Sequence, residues 1–184
     1  MTRTATITQP VYTIGHSTRT TPELAALLGE SAIEVVADVR AIPRSRTNPQ
    51  FNLDVLPGSL EEFGIGYQHF PELGGRRHHP RGAPPSPNTF WSNASFRNYA
   101  DYAATADFKV GFFRLRELAA RERCAIMCSE AVWWRCHRRI ISDYLLAQGI
   151  PVMHIMGAAL GVSVAGSILP GAMMCITAVP RASR

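Results

Sequence analysis

Residues 128–139 read CSEAVWWRCHRR, which places two thiols, a carboxylate, an imidazole and three guanidinium groups within one short segment. Thiols beside an imidazole and a carboxylate can carry nucleophilic attack, redox exchange or proton transfer, and neighbouring arginines can hold a phosphate, sulfate or carboxylate through two-pronged hydrogen bonds. The apolar run CAIMC, 124–128, reads as a buried strand that ends at Cys128, and the apolar spacing of Ile140, Ile141, Tyr144 and Leu145 predicts a helix over 134–148 that stops at Gly149. A helix N-terminus presents unpaired N–H groups and about half a positive charge, which favours anions and lowers the pKa of a nearby thiol. On that reasoning Cys128 is the expected thiolate nucleophile or redox centre, with His137 or His16 as proton carrier and Glu130 assisting. Arg40 and Arg138 are the expected anion clamp, with Arg135 as a further candidate.

Other readings of the same residues stay open. Cys128 is equally a residue type found buried for packing, the Cys136 thiol can point into the core, and Glu130 can pair with Arg138 or Arg139. Zinc accepts the donors Cys128, Cys136, His137 and a remote His16, but their spacing matches no standard metal motif, so no metal ligand is assigned. A cysteine-phosphatase loop needs five residues between cysteine and arginine, whereas residues 129–134 put six between Cys128 and Arg135. The runs RRHHPR, 76–81, and RCHRR, 135–139, with Trp91, Trp133 or Trp134 as stacking platforms, also fit a non-catalytic nucleic-acid-binding module.

The elements that must position these side chains follow from periodicity. VYTIGHS, 11–17, alternates as a strand, and TPELAALLGES reads as a helix with Thr21 as N-cap and Pro22 at its first position. IEVVADVR, 33–40, is a β-branched strand; a short helix falls within 53–63, and IGYQHF, 65–70, forms a third strand. A long Gly/Pro/Arg-rich loop follows, of the kind that serves for binding. Helices are expected over 95–106 and 108–121, and IPVMHIM is the last strand. Strands separated by helices predict a single α/β domain with a mostly parallel sheet flanked by helices, in which ligands sit beyond the carboxyl ends of the strands. The pair His16-Ser17, Arg40, His69 and Cys128 each come from the carboxyl end of a different strand and are expected at that one rim.

Composition narrows the class without naming a reaction. A chain of 184 residues, 46% apolar and 18% charged, has the make-up of one globular domain. Of its 19 cationic side chains only Lys109 is a lysine, which permits an anionic partner and also follows from arginine-rich codon usage. Four cysteines without C-x-x-C spacing, and no basic-then-apolar start, lead to the expectation of a reduced cytoplasmic protein. No Asp, Glu, Lys or Arg occurs from Gly149 to Pro180, yet Pro170-Gly171 interrupts the apolar run too early for a membrane span, so a membrane partner is not expected.

TIGHS, 13–17; DVR, 38–40, with Pro43 and Ser45; GIGYQH leading into ELGGRR, 72–77; SFRNYADY, 95–102; and CSEAVWWRCHRR together resemble the domain-of-unknown-function family 488. The resemblance spans about residues 11–156. It implies a compact α/β domain with signature positions His16, Ser17, Asp38, Arg40, Ser45, Gly74, Gly75, Cys128, Glu130, Cys136, His137 and Arg138, and it names no reaction and no cofactor. The last third departs from the family pattern, and a shifted reading frame near Gly157 would account for its charge-free character. The expected organisation is a flexible N-terminus, 1–10, an α/β domain, 11–156, and an atypical apolar tail, 157–184. The expected activity is that of a cysteine-dependent enzyme acting on an anionic small molecule or nucleotide-like ligand, with Cys128, Glu130, His137 and His16 catalytic and Ser17, Arg40, Ser45, Cys136 and Arg138 binding. Nucleic acid is the alternative partner.

Overall fold

The computed structural model describes residues 7, 9–157 and 161–164; most of the expected N-terminal segment and apolar tail lie outside the described residues. The chain alternates strand and helix as its periodicity predicts: β1 (Val11–Gly15), α1 (Thr21–Glu30), β2 (Val35–Asp38), α2 (Leu56–Glu61), β3 (Gly66–His69), α3 (Ala94–Ala103), α4 (Ala106–Arg121), β4 (Cys124–Cys128), α5 (Arg138–Ala147), β5 (Val152–Gly157) and β6 (Gly161–Val164). The sheet order is β3-β2-β4-β1-β5-β6. All neighbours from β3 to β5 are parallel, and β6, which the sequence did not signal, joins β5 antiparallel.

Residues of period two sort the core into two layers. Tyr12, Ile14, Val36, Ala125 and Met127 face α1 and α2, whereas Val11, Val35, Ala37, Cys124, Ile126 and Cys128 face the layer built from α3, α4 and α5. Connections leave β1 and β4 on opposite faces, α1 passing to β2 and α5 to β5. Adjacent strands whose connections diverge leave a crevice at their carboxyl ends, the usual ligand position of an open α/β sheet. Among the described residues no helix is long and apolar enough to cross a membrane.

Two helix starts differ from the sequence reading. Thr20, not Thr21, caps α1: its side chain accepts from Glu23 N–H at 3.3 Å while the Glu23 carboxylate accepts from Thr20 N–H at 2.7 Å. The reciprocal arrangement requires a hydroxyl three residues before the glutamate, which selects position 20. Helix α5 begins at Arg138 rather than 134, because Trp133–Arg135 forms a 3-10 turn and Cys136 is extended. Cys136 and His137 therefore precede the helix instead of lying on it, and His137 is its N-cap.

The end of β1 fits against the segment after β4 with no space for a side chain. A Cβ on Gly15 would stand 1.8 Å from the carbonyl oxygen of Glu130, while His16 N–H donates to Cys128 O at 2.9 Å and Ser17 N–H to Ser129 O at 3.0 Å. Forcing backbone apart in a packed interior costs about 1–3 kcal/mol or more. Gly15→Ala is accordingly expected to lose about 3 kcal/mol in urea unfolding, whereas Gly66→Ala, whose Cβ would meet nothing closer than 3.4 Å, is expected to stay within about 1 kcal/mol of the parent.

Candidate functional site

The register brings the rim together. Gly15 pairs with Cys128, and Asp38 pairs with both Met127 and His69, so the strand ends lie level. Beyond them opens a cavity of about 540 Å³ whose lining includes His16, Ser17, Arg40, Ser45, Cys128, Glu130, Cys136 and His137. Of the expected catalytic and binding residues, only Arg138 is absent from that lining, and it lies directly behind Cys136. His69 points elsewhere: its Nε2 donates to the carbonyl of Arg40 at 2.8 Å.

Arg40 is a buried charge with a buried counter-ion. Its Nε and Nη2 donate to the Asp38 carboxylate at 2.9 and 2.6 Å, Nη2 also donates to Phe51 O at 2.7 Å, and Nη1 donates to His16 Nε2 at 3.2 Å. Tyr67 O–H completes the Asp38 carboxylate at 2.6 Å. The expected two-pronged clamp is thus spent on Asp38, since a guanidinium has five N–H bonds and this one commits four of them within the protein. His16 is equally committed. Arginine can only donate, so His16 Nε2 accepts, and its Nδ1 donates to Ser17 O at 2.9 Å. The ring also stacks on Phe51 at 4.0 Å between centroids. Burial and then the Arg40 charge lower its pKa to about 4, and both ring nitrogens are engaged within the protein. Ser17 sits at φ +51 beneath it, and Ser45 Oγ accepts from Asn48 N–H at 3.1 Å, holding the loop of the opposite wall.

The sulfur cluster forms the other part of the floor. His137 Nε2 lies 3.0 Å from Val39 O, and a carbonyl only accepts, so the proton is on Nε2 and the Nδ1 lone pair is free. That nitrogen lies 3.6 Å from Cys136 Sγ and 4.0 Å from Cys128 Sγ. All three donor atoms fall within 4.8 Å of one another, a set able to hold a metal ion. Two features keep the ring there: Tyr99 packs edge-on at 5.0 Å, and a Cβ on Gly75 would strike Nδ1 at 2.4 Å. Gly74 likewise lies against the Ala41 backbone, where a Cβ would come within 2.6 Å.

The ionisation preference reverses the sequence expectation. Cys136 is the thiol pushed down, first because the Cys128 S–H donates to its sulfur and further because Arg138 adds its charge, a backbone N–H and an Nε donor at 3.3 Å. Cys128 is pushed up for the reciprocal reason, with burial adding to it. The Arg138 backbone N–H belongs to the first residue of α5, so the helix start acts on Cys136 rather than on Cys128. Arg138, also expected to clamp an anion, is buried and donates its Nη2 to Glu130 O; the Glu130 carboxylate itself is exposed and makes no ion pair among the described residues.

Positive charge reaches the cavity from elsewhere. Arg44, Arg76 and Arg135 line its mouth, are exposed, and have no side-chain partner among the described residues, while Glu130 is its only acidic lining residue. Arg44 and Arg76 were not assigned to the site from sequence; their positions inside the Pro43–Ser45 and ELGGRR motifs were the available signal. The arginines of the two runs read for nucleic acid divide evenly: Arg77 donates to Gly74 O and covers the Tyr102 ring, Arg138 is buried and Arg139 covers Trp91, whereas Arg76, Arg81 and Arg135 are exposed. Trp91 is buried against Phe96 and Trp133 stacks on His154, leaving only Trp134 of the three tryptophans exposed.

A doubly wound α/β domain with a cysteine–histidine floor beneath a cationic mouth is the class that fold and pocket define. The chain matches the model described as Domain of unknown function DUF488 over residues 20–145 and belongs to that family. The match begins after β1, so His16 and Ser17 precede it. No curated protein and no solved structure matches the chain.

Two outcomes are expected. Asp38→Asn leaves a buried guanidinium without its counter-ion and should cost about 3–5 kcal/mol in chemical denaturation. His154, like His16, is lowered to about 4 by burial and then by a cationic neighbour, Arg138. Both stay neutral in the fold while the unfolded chain protonates near pH 6.5, so their contribution is complete above that pH and is lost as pH falls from about 6.5 to 4. Unfolding free energy measured across that window should decline, and less steeply in His154→Gln, whose side-chain amide can still meet the Thr13 hydroxyl.

Proposed function

We infer that the cavity is the active site of an enzyme acting on an anionic small molecule or nucleotide-like group. The observation that carries this reading is the set of free guanidinium groups, Arg44, Arg76 and Arg135, around a cavity whose floor holds Cys128, Cys136 and His137. Arginine hydrogen-bonds oxyanions in a planar fork, and three such groups converging on one opening favour a phosphate, sulfate or carboxylate over a neutral ligand. The volume suits a ligand of nucleotide size, for which pockets of about 300–1,000 Å³ are usual. Hydroxyls of Ser17, Thr18, Ser95 and Ser129 on the walls supply further donors, and Phe96 offers an apolar face. Glu130, exposed at the rim, is the carboxylate available for proton transfer.

Arg40 and Asp38 act in this reading as positioning residues: they hold the His16 ring and the β2 end that form one wall. Cys128, Cys136 and His137 form the reactive floor and open on one side to the cavity.

Isothermal titration of the full chain with a nucleoside monophosphate and with pyrophosphate tests the reading. Arg44→Gln, Arg76→Gln and Arg135→Gln are each expected to weaken binding about tenfold or more, the loss of one charge-assisted hydrogen bond, without changing the melting temperature. Absence of binding at low ionic strength, or binding indifferent to all three substitutions, would remove it. Binding of mixed-sequence single strands with a steep salt dependence, instead of the small ligands, would favour the nucleic-acid module.

A further inference from the structure

We propose that Cys128, Cys136 and His137 form a three-donor site for a zinc-class divalent cation, with the fourth coordination position open to the cavity. The proposal deepens the reading of the cavity as an active site, and rests on it for what that fourth position meets.

The distances argue for it first. With Zn–S about 2.3 Å and Zn–N about 2.0–2.1 Å, a tetrahedral ion separates sulfur from nitrogen by about 3.6 Å. Cys136 Sγ already stands 3.6 Å from His137 Nδ1, and Cys128 Sγ at 4.0 Å needs to move only a few tenths of an ångström. The third separation falls inside the 4.8 Å that encloses all three atoms.

Orientation argues for it second. A metal-bound histidine normally donates its other ring nitrogen to a carbonyl or carboxylate, which fixes the tautomer and aims the lone pair. His137 does this with Val39 O at 3.0 Å, and the aimed nitrogen is the one facing both sulfurs. The Arg138 Nε–H directed at Cys136 Sγ at 3.3 Å is the corresponding support for a thiolate ligand. Gly75 leaves the ring the room it occupies, since a Cβ there would displace it.

Burial argues against the competing use of these atoms. Cys128 is 6% and Cys136 2% exposed, and the two sulfurs turn toward the imidazole and each other, which suits coordination better than attack on a bulky substrate. Two thiolates and an imidazole select a soft or borderline ion such as zinc over magnesium or calcium. Three protein donors with one position left open is the ligand count of a catalytic rather than a structural zinc. Because all three residues line the cavity, an oxyanion drawn in by Arg44, Arg76 and Arg135 could approach that position.

The test uses the full chain, purified with reductant, equilibrated with Zn²⁺ or Co²⁺ and desalted. One retained equivalent by elemental mass spectrometry, and a thiolate-to-cobalt charge-transfer band in the Co²⁺ form, are expected both in the parent chain and in a Cys124→Ser/Cys175→Ser background. Cys128→Ser, Cys136→Ser and His137→Gln should each weaken binding at least 100-fold against a chromophoric chelator. Should one of these variants not fold by circular dichroism, the cobalt spectrum of the parent chain decides, and absence of the band overturns the proposal. It is equally overturned by failure of the reduced parent chain to retain an ion while Cys128 and Cys136 close a disulfide in air, or by undiminished retention in the folded Cys128→Ser and Cys136→Ser chains. Arg44→Gln should keep the ion. Anion binding without a retained ion leaves the active-site reading standing and removes the metal; a retained, cysteine-dependent ion without anion binding does the reverse.

Discussion

The Arg40 guanidinium lies in the interior, 7% exposed, and everything at the rim is arranged around neutralising it. A charge removed from water is tolerated only with a counter-ion and a full set of hydrogen bonds, and Asp38, Phe51 O and His16 provide them. Each partner comes from a different element: β2, the turn over residues 49–51, and the residue after β1. The same network therefore ties three chain segments at one sheet edge and fixes the tautomer of His16. Four of the five Arg40 N–H bonds are committed to this structural work.

A parallel division separates the two cysteines. Cys128 sits where the strand ends and draws the eye as the activated group, yet a thiol's pKa depends on what touches the sulfur. The Arg138 donors touch Cys136, so the pair favours ionisation at Cys136. His137 completes the cluster because it caps α5 and reaches back to Val39, which joins the β4–α5 connection to the end of β2. Three consecutive residues, 136–138, thus supply a sulfur, an aimed nitrogen and a buried cation, each placed by a different contact.

The arginine content divides along the same line. Arg77, Arg114, Arg123 and Arg139 cover aromatic rings, and Arg40 and Arg138 are buried, so part of the arginine content serves packing. What remains at the mouth, Arg44, Arg76 and Arg135, is a small set concentrated at one opening. Local concentration of unpaired charge rather than the net charge of +5 is what makes an anionic ligand a physical expectation.

The order of strands and helices, the α/β class and the convergence of His16, Ser17, Arg40 and Cys128 on one rim were legible in the sequence, because hydrophobic period and turn residues are local signals and parallel topology then dictates which ends meet. Family membership was legible too, from motifs short enough to be read in line. The roles of Arg40, Arg138 and His16 were not: whether a guanidinium binds a ligand or an aspartate two residues away depends on side-chain direction and burial, which no spacing encodes. Nor could the spacing of Cys128, Cys136 and His137 reveal a three-donor cluster, because the 3-10 turn and the extended Cys136 between strand and helix set their separation. Sequence determined which chemistry the rim holds; tertiary structure decided which groups are spent on the fold and which face the cavity, since hydrogen-bond partners are distributed only once the chain has packed.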